Sequence, residues 1–464
     1  MVLDPIFLFP GQGAYLPGVF ADLANTHRSV AETLSSVDRA ARRCGNPSVT
    51  NILTDRSALP LADLVRTDPR SLHLAIFTIE LALFKLLTEE VGVEPAALVG
   101  HSFGELVALT AAEIFSLEDG VSLVIARDDA LAKCPPPAGG MLAVATSAVR
   151  VRHLLEALSE WNVTIAAENG SNQTVVSGPD AALSRMEQAA VAIGIQATRL
   201  NAAYPFHHRS LAPAAKLFAE AASHLPARPP RYRVISSILG REVDTPEDAV
   251  TLVAAHLTRP TRFEGCLLDL QARGRTAFIE CGARSILCGL VSEVLPRAKV
   301  LAPLGSRATA TDVAAVVAEY MSVQREVDDL PDDSRLSTPP VPSSVVLHSR
   351  SASALMSDET NASNSQPVAP DGASDDILAR LREMYGDALG YPASVFTAHA
   401  DLEADLGIDS IKRTELISRA AARFGRDLPR TGHRLTAYTT LESVVEFIAQ
   451  LPVSAGTAQE TVLS

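Results

Sequence analysis

Hydrophobic and polar residues follow two different patterns along this chain. From residue 3 to about residue 321, short apolar runs typical of buried strands alternate with longer segments of helical periodicity. The strand candidates are residues 6–9, 97–99, 141–144, 174–176 and 276–279. This alternation predicts an α/β fold for residues 1–322.

Two stretches inside this region stand apart. Residues from about 140 to 203 run through strand, helix, strand, helix and strand on a smaller scale, which predicts a separate small subdomain. The most apolar stretch, residues 72–87, contains His73, Glu80 and Lys85 and falls short of the roughly 18 uninterrupted apolar residues of a membrane span. It predicts a buried helix.

The pattern changes after residue 322. Residues 323–375 are rich in Asp, Ser, Pro, Thr and Asn and contain too little apolar area to offset the entropy lost on ordering, which predicts a disordered linker. Helical periodicity returns in three segments of the region 376–453 and predicts a small helical bundle, followed by a flexible tail over 454–464. The three segments are residues 377–389, 411–424 and 441–451.

Composition narrows the classes of function. The 464 residues are 47% hydrophobic and 20% charged, a balance typical of a globular protein with two or three folding units. The formal charge of -14 and the lack of a basic stripe with interleaved aromatics argue against nucleic-acid binding. The first predicted strand leaves no room for a secretion signal, and the five cysteines form no CxxC pair. We therefore expect a cytoplasmic protein without a metal site or a disulfide framework.

A GxSxG motif occupies residues 100–104, between an apolar run and the helical segment 105–112. Strand, tight turn and helix form the context of a nucleophile elbow, in which Ser102 presents its hydroxyl above the sheet and the helix N-terminus favours negative charge. The same motif also occurs in ordinary turns. A serine hydroxyl needs a nearby base, and spacing alone does not decide whether His207 or His208 supplies it.

The sequence FPGQG, residues 9–13, directly follows the first predicted strand. Two interpretations stay open at this point. The segment is either an ordinary glycine and proline turn or a loop that directs backbone N–H groups at a substrate oxygen. An oxyanion donor stabilises a transition state by about 2.7 to 4 kcal/mol, so the loop matters if it lies beside Ser102.

Five motifs in a fixed order make the first 322 residues resemble the malonyl-CoA:acyl carrier protein transacylases, particularly the acyltransferase domains of polyketide synthases. They are FPGQG at 9–13, GHSFG at 100–104, GGM at 139–141, VSGP at 176–179 and FH at 206–207. The resemblance implies an α/β-hydrolase-like large subdomain with an inserted ferredoxin-like small subdomain. It also implies an active site in the cleft between the two.

The resemblance assigns roles to individual residues. It implies that Ser102 takes the acyl group as an ester and that His207, oriented by backbone carbonyls, is its base. The backbone N–H groups of Gln12 and Phe103 would form the oxyanion hole. Arg127 falls where the family has an arginine that binds the free carboxylate of malonyl or methylmalonyl units, a task suited to a planar guanidinium. A solvated helix arginine is the alternative interpretation.

The residues around the acyl pocket bear on which acyl unit is accepted. Phe103 and Phe206 resemble those of malonyl-selecting members, because a bulky ring would crowd a methyl branch. The chain departs from the family pattern at His73, Tyr204, Pro205, His208 and Ala283. We expect His73, His101 and Tyr204 to line the pocket, and the departure at Tyr204 leaves an unusual acyl unit open.

The C-terminal segment DLEADLGIDSIKR, residues 401–413, is similar to the modification site of acyl carrier proteins. Ser410 lies at a predicted helix N-terminus, where the helix dipole stabilises a phosphodiester. The resemblance implies a four-helix-bundle carrier domain with 4'-phosphopantetheine attached to Ser410 by a phosphopantetheinyl transferase. A simple helix N-cap is the alternative for Ser410.

These features predict an acyltransferase of polyketide or fatty-acid-type biosynthesis. We expect it to move an acyl group, malonyl first, from coenzyme A through an acyl-serine to an acyl carrier protein, either its own or a separate one. We also expect ketosynthase or other synthase domains as partners. We expect neither nucleic acid nor a membrane as a partner. Two alternatives stay open: transfer of a starter unit without a carboxylate, and an editing acyl hydrolase that uses the same dyad.

Overall fold

The structure, a computed structural model, describes residues 4–305, 313–328, 372–389, 410–426 and 438–452 together with the single positions 402, 408 and 428. Most of the predicted linker, the predicted tail and the fourth helix of the predicted bundle therefore lie outside the described residues. The predicted linker, residues 323–375, overlaps two helices at its ends. One helix ends at Asp328 and the next begins at Gly372.

Ten strands form two sheets within the described ranges. They are β1 (Ile6–Phe9), β2 (Ala97–Gly100), β3 (Gly139–Val144), β4 (Thr164–Gly170), β5 (Gln173–Pro179), β6 (Ala197–Arg199), β7 (Val234–Ser236), β8 (Arg241–Glu242), β9 (Ala277–Glu280) and β10 (Lys299–Leu301). The larger sheet has the order β10-β9-β1-β2-β7-β8 and is parallel except for the pair β7 and β8. Parallel strands need crossover helices, so this sheet confirms the predicted α/β fold.

The described residues also form α-helices. They are α1 (Leu23–Thr26), α2 (Arg28–Arg43), α3 (Thr50–Thr54), α4 (Leu61–Thr67), α5 (Pro69–Lys85), α6 (Gly104–Ala111), α7 (Leu117–Lys133), α8 (Ala148–Leu158), α9 (Asp180–Ala192), α10 (Ala212–Ala222), α11 (Pro246–Ala255), α12 (Phe263–Ala272), α13 (Ile286–Val294), α14 (Val313–Asp328), α15 (Gly372–Leu389), α16 (Ser410–Arg423) and α17 (Leu441–Gln450). A π-helical turn, Leu86–Glu90, extends α5, and a 3₁₀ turn, Arg209–Leu211, precedes α10.

The larger sheet is buried on both faces. In β1, Phe7 and Phe9 pack into one apolar cluster, whereas Ile6 and Leu8 pack into a second cluster on the opposite face. Alternate residues of a strand point to opposite faces, so a strand apolar at every position requires cover on both sides. The strand order also makes β1 and β2 the two central strands of this sheet.

The smaller sheet has the order β4-β5-β3-β6, with every neighbouring pair antiparallel. With α8 and α9 it forms a β-α-β-β-α-β unit, which is the ferredoxin-like topology. The sequence pattern predicts one strand between the two helices, and the structure instead has the hairpin of β4 and β5. The missed strand β4 contains two alanines and the polar pair Glu168 and Asn169, so its preference for the extended conformation is weak.

Helix α5 is the apolar segment that the sequence predicts to be buried. By length and composition alone, the helix from Pro69 to Glu90 could cross a membrane. Within the protein, however, 89% of its most apolar window is buried. The helix packs against α2, α6 and α7 in the core of the large subdomain.

Three helices near the C-terminus share a separate apolar core. Leu381 and Tyr385 of α15, Leu416 of α16, and Val444 and Ile448 of α17 are fully buried in one cluster. These helices coincide with the three segments that the sequence predicts. Helix α16 begins at Ser410.

Replacement of Gly104 by alanine is expected to lower the free energy of unfolding by about 1 to 3 kcal/mol or more, because the added Cβ would lie 1.9 Å from the Phe9 carbonyl oxygen. The midpoint of urea unfolding measures the change. Gly265→Ala in α12 is the matched control, since its Cβ would meet nothing within 4 Å and alanine favours a helix. Equal midpoints for the two variants would contradict tight packing at Gly104.

Candidate active site

Ser102 lies in the turn between β2 and α6 with a positive φ of 54°. The turn is tight on both sides: a Cβ on Gly100 would lie 2.4 Å from the Glu105 Cα, and a Cβ on Gly104 would lie 1.9 Å from the Phe9 carbonyl oxygen. A left-handed conformation at a residue other than glycine is strained and occurs mainly at functional sites. The two glycines of the GxSxG motif therefore permit the turn that the sequence predicts for Ser102.

The structure brings His207 to Ser102 across 105 residues of sequence. The Ser102 Oγ lies 2.7 Å from the His207 Nε2, and the His207 Nδ1 lies 2.6 Å from the Arg259 carbonyl oxygen. A carbonyl oxygen can only accept, so Nδ1 carries the proton and Nε2 is free to accept from the serine hydroxyl. His207 is also left-handed, with a φ of 61°, and its backbone N–H donates to the Leu257 carbonyl.

The environment keeps His207 neutral. The ring is 4% exposed, and burial lowers its pKa to about 4, with smaller contributions from His101 and Arg127 in the same direction. A neutral imidazole at neutral pH is the form that can accept a proton. Ser102 and His207 together therefore have the geometry and the protonation state of a nucleophile and its general base.

The neighbouring His208 has a different set of partners. Its Nε2 donates to the Asn162 carbonyl over 2.9 Å, and its Nδ1 accepts from the backbone N–H of Ser210. Both ring nitrogens are thus used in capping the 3₁₀ turn and in joining it to the small subdomain. Geometry favours His207 over His208 as the base, a choice that spacing leaves open.

The loop of residues 9–13 packs directly on the nucleophile turn. A Cβ on Gly11, which has a φ of 71°, would lie 2.6 Å from the Gly104 nitrogen and 2.9 Å from the Phe103 Cβ. Within the described residues, the backbone N–H groups of Gln12 and Phe103 donate to no protein acceptor. Two free amides on two backbones in contact fit the predicted oxyanion hole.

The carboxyl group of Glu80 in α5 holds this loop through a hydrogen bond. Its Oε1 accepts from the Gly11 backbone N–H over 2.6 Å, and its side chain is fully buried. Burial raises the pKa of Glu80 well above its ordinary value. Its Oε2 has no partner among the described residues, which fits a neutral carboxyl group.

Arg127 of α7 lies between the aromatic neighbours of the two dyad residues. Its guanidinium carbon is 4.7 Å from the centre of the Phe206 ring and 5.4 Å from that of the Phe103 ring. Phe103 follows Ser102 and Phe206 precedes His207, so the guanidinium lies next to the dyad. The side chain is only 3% exposed, and burial lowers its pKa.

Arg127 belongs to a network of four buried polar side chains. Its Nη1 donates to the Asp128 Oδ1 over 3.1 Å, and its Nε donates to the His256 Nε2 over 3.3 Å. The Asp128 carboxylate also accepts from the His73 Nδ1 at 2.9 Å, and the His73 ring stacks on Phe103 at 5.5 Å. Burial lowers the pKa of His256 well below its ordinary value, so the imidazole is a neutral acceptor for Arg127.

The remaining predicted pocket residues border this centre. The ring of Tyr204 packs edge-on against Phe206 at 5.8 Å, and Tyr204 is half-buried. His101 bonds through its Nε2 to the Asn169 Oδ1 at 2.8 Å, and burial lowers its pKa. His101 therefore joins the nucleophile turn to β4 of the small subdomain.

Sequence reasoning missed three members of this site: Glu80, Asp128 and His256. Glu80 was visible as a charged residue in an apolar helix, and such a position often has a specific polar partner. Asp128 follows Arg127 directly, which gave no distinct signal, and His256 is an isolated histidine. Their roles depend on contacts between distant segments, which spacing does not show.

The predicted attachment residue, Ser410, begins α16. The first N–H groups of a helix lack intrahelical acceptors and favour a phosphate group, so this position fits phosphopantetheine. Comparison of the sequence with known families agrees with both parts of the chain. Residues 6–332 match the acyl transferase domain, and residues 379–448 match the phosphopantetheine attachment site.

Two curated relatives illustrate the similarity. The chain is 34% identical over 295 residues to the spectinabilin polyketide synthase system protein NorB of Streptomyces orinoci, an alignment that covers 62% of this chain and 13% of that protein. It is 30% identical over 306 residues to the atrochrysone carboxylic acid synthase of Aspergillus chevalieri, covering 64% of this chain and 17% of that one. The chain thus spans less than a fifth of the length of either relative.

Solved structures show the same fold. The acyltransferase domain from module 8 of the salinomycin polyketide synthase aligns with a TM-score of 0.61 at 27% identity, covering 68% of this chain and 75% of that one. The malonyl-CoA:acyl carrier protein transacylase of Xanthomonas oryzae aligns with a TM-score of 0.61 at 26% identity, covering 68% of this chain and 99% of that one.

Labelling of Ser102 by a neutral fluorophosphonate is expected to stay constant as the pH falls from about 8 and to decline only near pH 4, because the pKa of His207 is lowered to about 4. An ordinary histidine would lose activity near pH 6.5. Mass spectrometry of the labelled protein gives the profile, and a midpoint near pH 6.5 would contradict this prediction.

Folding must be followed in the same experiment. The stability that a neutral buried His207 contributes is complete above pH 6.5, the pKa of an unfolded histidine, and is lost as the pH falls toward about 4. Circular dichroism at each pH separates unfolding from protonation of the base. His207→Ala should abolish labelling, and His208→Gln should retain it.

Proposed function

Because the chain belongs to the acyl transferase domain family and carries a phosphopantetheine attachment site, we propose that it transfers a malonyl group from coenzyme A to its own carrier domain. The observation that carries the proposal is the 2.7 Å contact between the Ser102 Oγ and the His207 Nε2. The acyl unit, the direction of transfer and the residue roles below are parts of this proposal.

The first half-reaction forms an acyl-serine. His207 Nε2 takes the proton of the Ser102 hydroxyl while Oγ attacks the thioester carbonyl of malonyl-CoA. The negative oxygen that develops is stabilised by the backbone N–H groups of Gln12 and Phe103. The coenzyme A thiol then leaves with the proton that His207 has held.

The second half-reaction runs the same steps toward the carrier. When bound to Ser410, phosphopantetheine supplies a thiol as the acyl acceptor. His207 would accept the proton of that thiol as its sulfur attacks the acyl-serine carbonyl, and would return the proton to Ser102 Oγ as the ester bond breaks. The Arg259 carbonyl holds the ring in one tautomer, so the same nitrogen serves both half-reactions.

Arg127 supports malonyl as the acyl unit. A guanidinium beside the dyad can bind the distal carboxylate, and the rings of Phe103 and Phe206 lie against that guanidinium. Charge-assisted hydrogen bonds of this kind contribute about 1.5 to 3 kcal/mol. The same aromatic rings leave little room for a methyl branch next to the reacting carbonyl.

Arg127→Ala is expected to lower the efficiency of malonyl loading on Ser102 by about ten- to a hundredfold while acetyl loading changes little, since only malonyl carries the lost carboxylate contact. Intact-mass kinetics with each acyl-CoA measure both rates. Ser102→Ala, which lacks the nucleophile, gives the background signal. Equal losses for the two acyl groups would exclude a carboxylate clamp. Release of free malonate much faster than carrier loading would favour the hydrolase alternative.

Transfer to the carrier of the same chain is expected because the two domains are covalently joined. A random coil of about 50 residues, the length of the predicted linker, has a root-mean-square span of roughly 35 to 45 Å and would give an effective concentration in the millimolar range. The loading rate of the wild-type carrier should therefore not depend on protein concentration at micromolar concentrations.

Two variants test this prediction after treatment with a phosphopantetheinyl transferase. Ser410→Ala keeps the acyl-serine site and lacks the attachment residue, whereas Ser102→Ala keeps the attachment residue and lacks the nucleophile. Their mixture can load only between chains, so it should be slower than wild type at low micromolar concentrations and accelerate with concentration. A mixture as fast as the wild type would show that transfer occurs between chains.

A further inference from the structure

Arg127 already has an anionic partner inside the protein. Its Nη1 donates to the Asp128 Oδ1 over 3.1 Å, and the two side chains are 3% and 9% exposed. On the other side of that carboxylate, the His73 Nδ1 lies 2.9 Å and 3.0 Å from the two oxygens. A buried guanidinium needs such a counter-ion, because an unpaired charge in a protein interior is strongly destabilising.

The same guanidinium is the group that would receive the malonyl carboxylate. Its Nε donates to His256 and its Nη1 to Asp128, and among the described residues no acceptor is bonded to Nη2. A carboxylate bound at Nη2 would be the second anion on one cation and would lie near Asp128. Like charges that share a buried site repel each other strongly.

We propose that Asp128 sets the acyl selectivity of the site by acting through Arg127. As a resident counter-ion, it weakens the preference for acyl groups that carry a carboxylate, so the site accepts both malonyl and short carboxylate-free acyl groups. The inference rests on the proposed role of Arg127 as the clamp. Asp128 is a positioning and specificity residue, because it touches the guanidinium and takes no part in the chemistry at Ser102.

The adjacent residue, Asp129, provides a matched control. Its side chain is 42% exposed and pairs with Arg70, which is itself 34% exposed. Two neighbouring carboxylates on α7 thus differ in burial and in partner, while a change of either to asparagine removes one negative charge and preserves the shape of the side chain.

Asp128→Asn is expected to raise the ratio of malonyl to acetyl loading on Ser102 by about tenfold or more, since the competing negative charge is gone. The rise should come from a lower KM for malonyl-CoA, by a factor larger than any change in the KM for acetyl-CoA. A merely structural role would change both substrates together. Asp129→Asn should leave the ratio at the wild-type value, and an Asp128→Asn ratio that is unchanged or lower overturns the inference.

The wild-type protein decides the question if Asp128→Asn does not fold. With equal concentrations of malonyl-CoA and acetyl-CoA, the labelling of Ser102 should favour malonyl by less than about tenfold, because Asp128 offsets part of the clamp. A preference above about tenfold reaches the strength of an uncompensated clamp and would overturn the inference.

Arg127→Ala distinguishes the two proposals. If this variant keeps the wild-type ratio of malonyl to acetyl loading, Arg127 is not the clamp and the proposed malonyl function fails. If it lowers the ratio while Asp128→Asn does not raise it, the malonyl function stands and only the role of Asp128 fails.

Discussion

The carbonyl oxygen of Phe9 holds the nucleophile turn against the end of the first strand. It accepts from the His101 backbone N–H over 2.9 Å and leaves space for no side chain at Gly104. Gly11 also lies against the same turn, so the loop after β1 and the turn after β2 are fixed to each other by backbone contacts. Parallel pairing of β1 with β2 brings these two strand ends to the same edge of the sheet. The contact between the loop after β1 and the turn that carries Ser102 follows from that pairing.

This local constraint explains why half of the site could be predicted from the sequence. The turn requires glycines at 100 and 104 and an apolar strand before them. All of these lie within a few residues of Ser102, so the local sequence is enough to predict the turn. The other half is held from a distance, because the ring of His207 is oriented by Arg259 and its backbone by Leu257. The spacing of residues does not distinguish His207 from His208 as the base. Within the sequence, only the family resemblance favours His207.

Strand β4 and the roles of Asp128 and Glu80 were not predicted, and the physical reason is the same for all three. Strand β4 has a weak intrinsic preference and becomes a strand because β5 and the segment around Thr261 pair with it. Asp128 and Glu80 gain their roles from Arg127 and from the backbone of Gly11, both of which are positioned by tertiary structure. Prediction from one sequence therefore reached the α/β core, the small subdomain and the dyad candidates. It did not reach the polar network that surrounds the guanidinium.

The contacts between the subdomains have a mechanical consequence. Backbone hydrogen bonds join Thr261 of the large subdomain to Ala166 and Glu168 of β4, and the His101 side chain bonds to Asn169 one residue further along. Strand β4, at the edge of the small sheet, is thus hydrogen-bonded to the large subdomain at Thr261 and to the nucleophile turn at His101. A hinge motion that moved the small subdomain away from the nucleophile turn would break these bonds together.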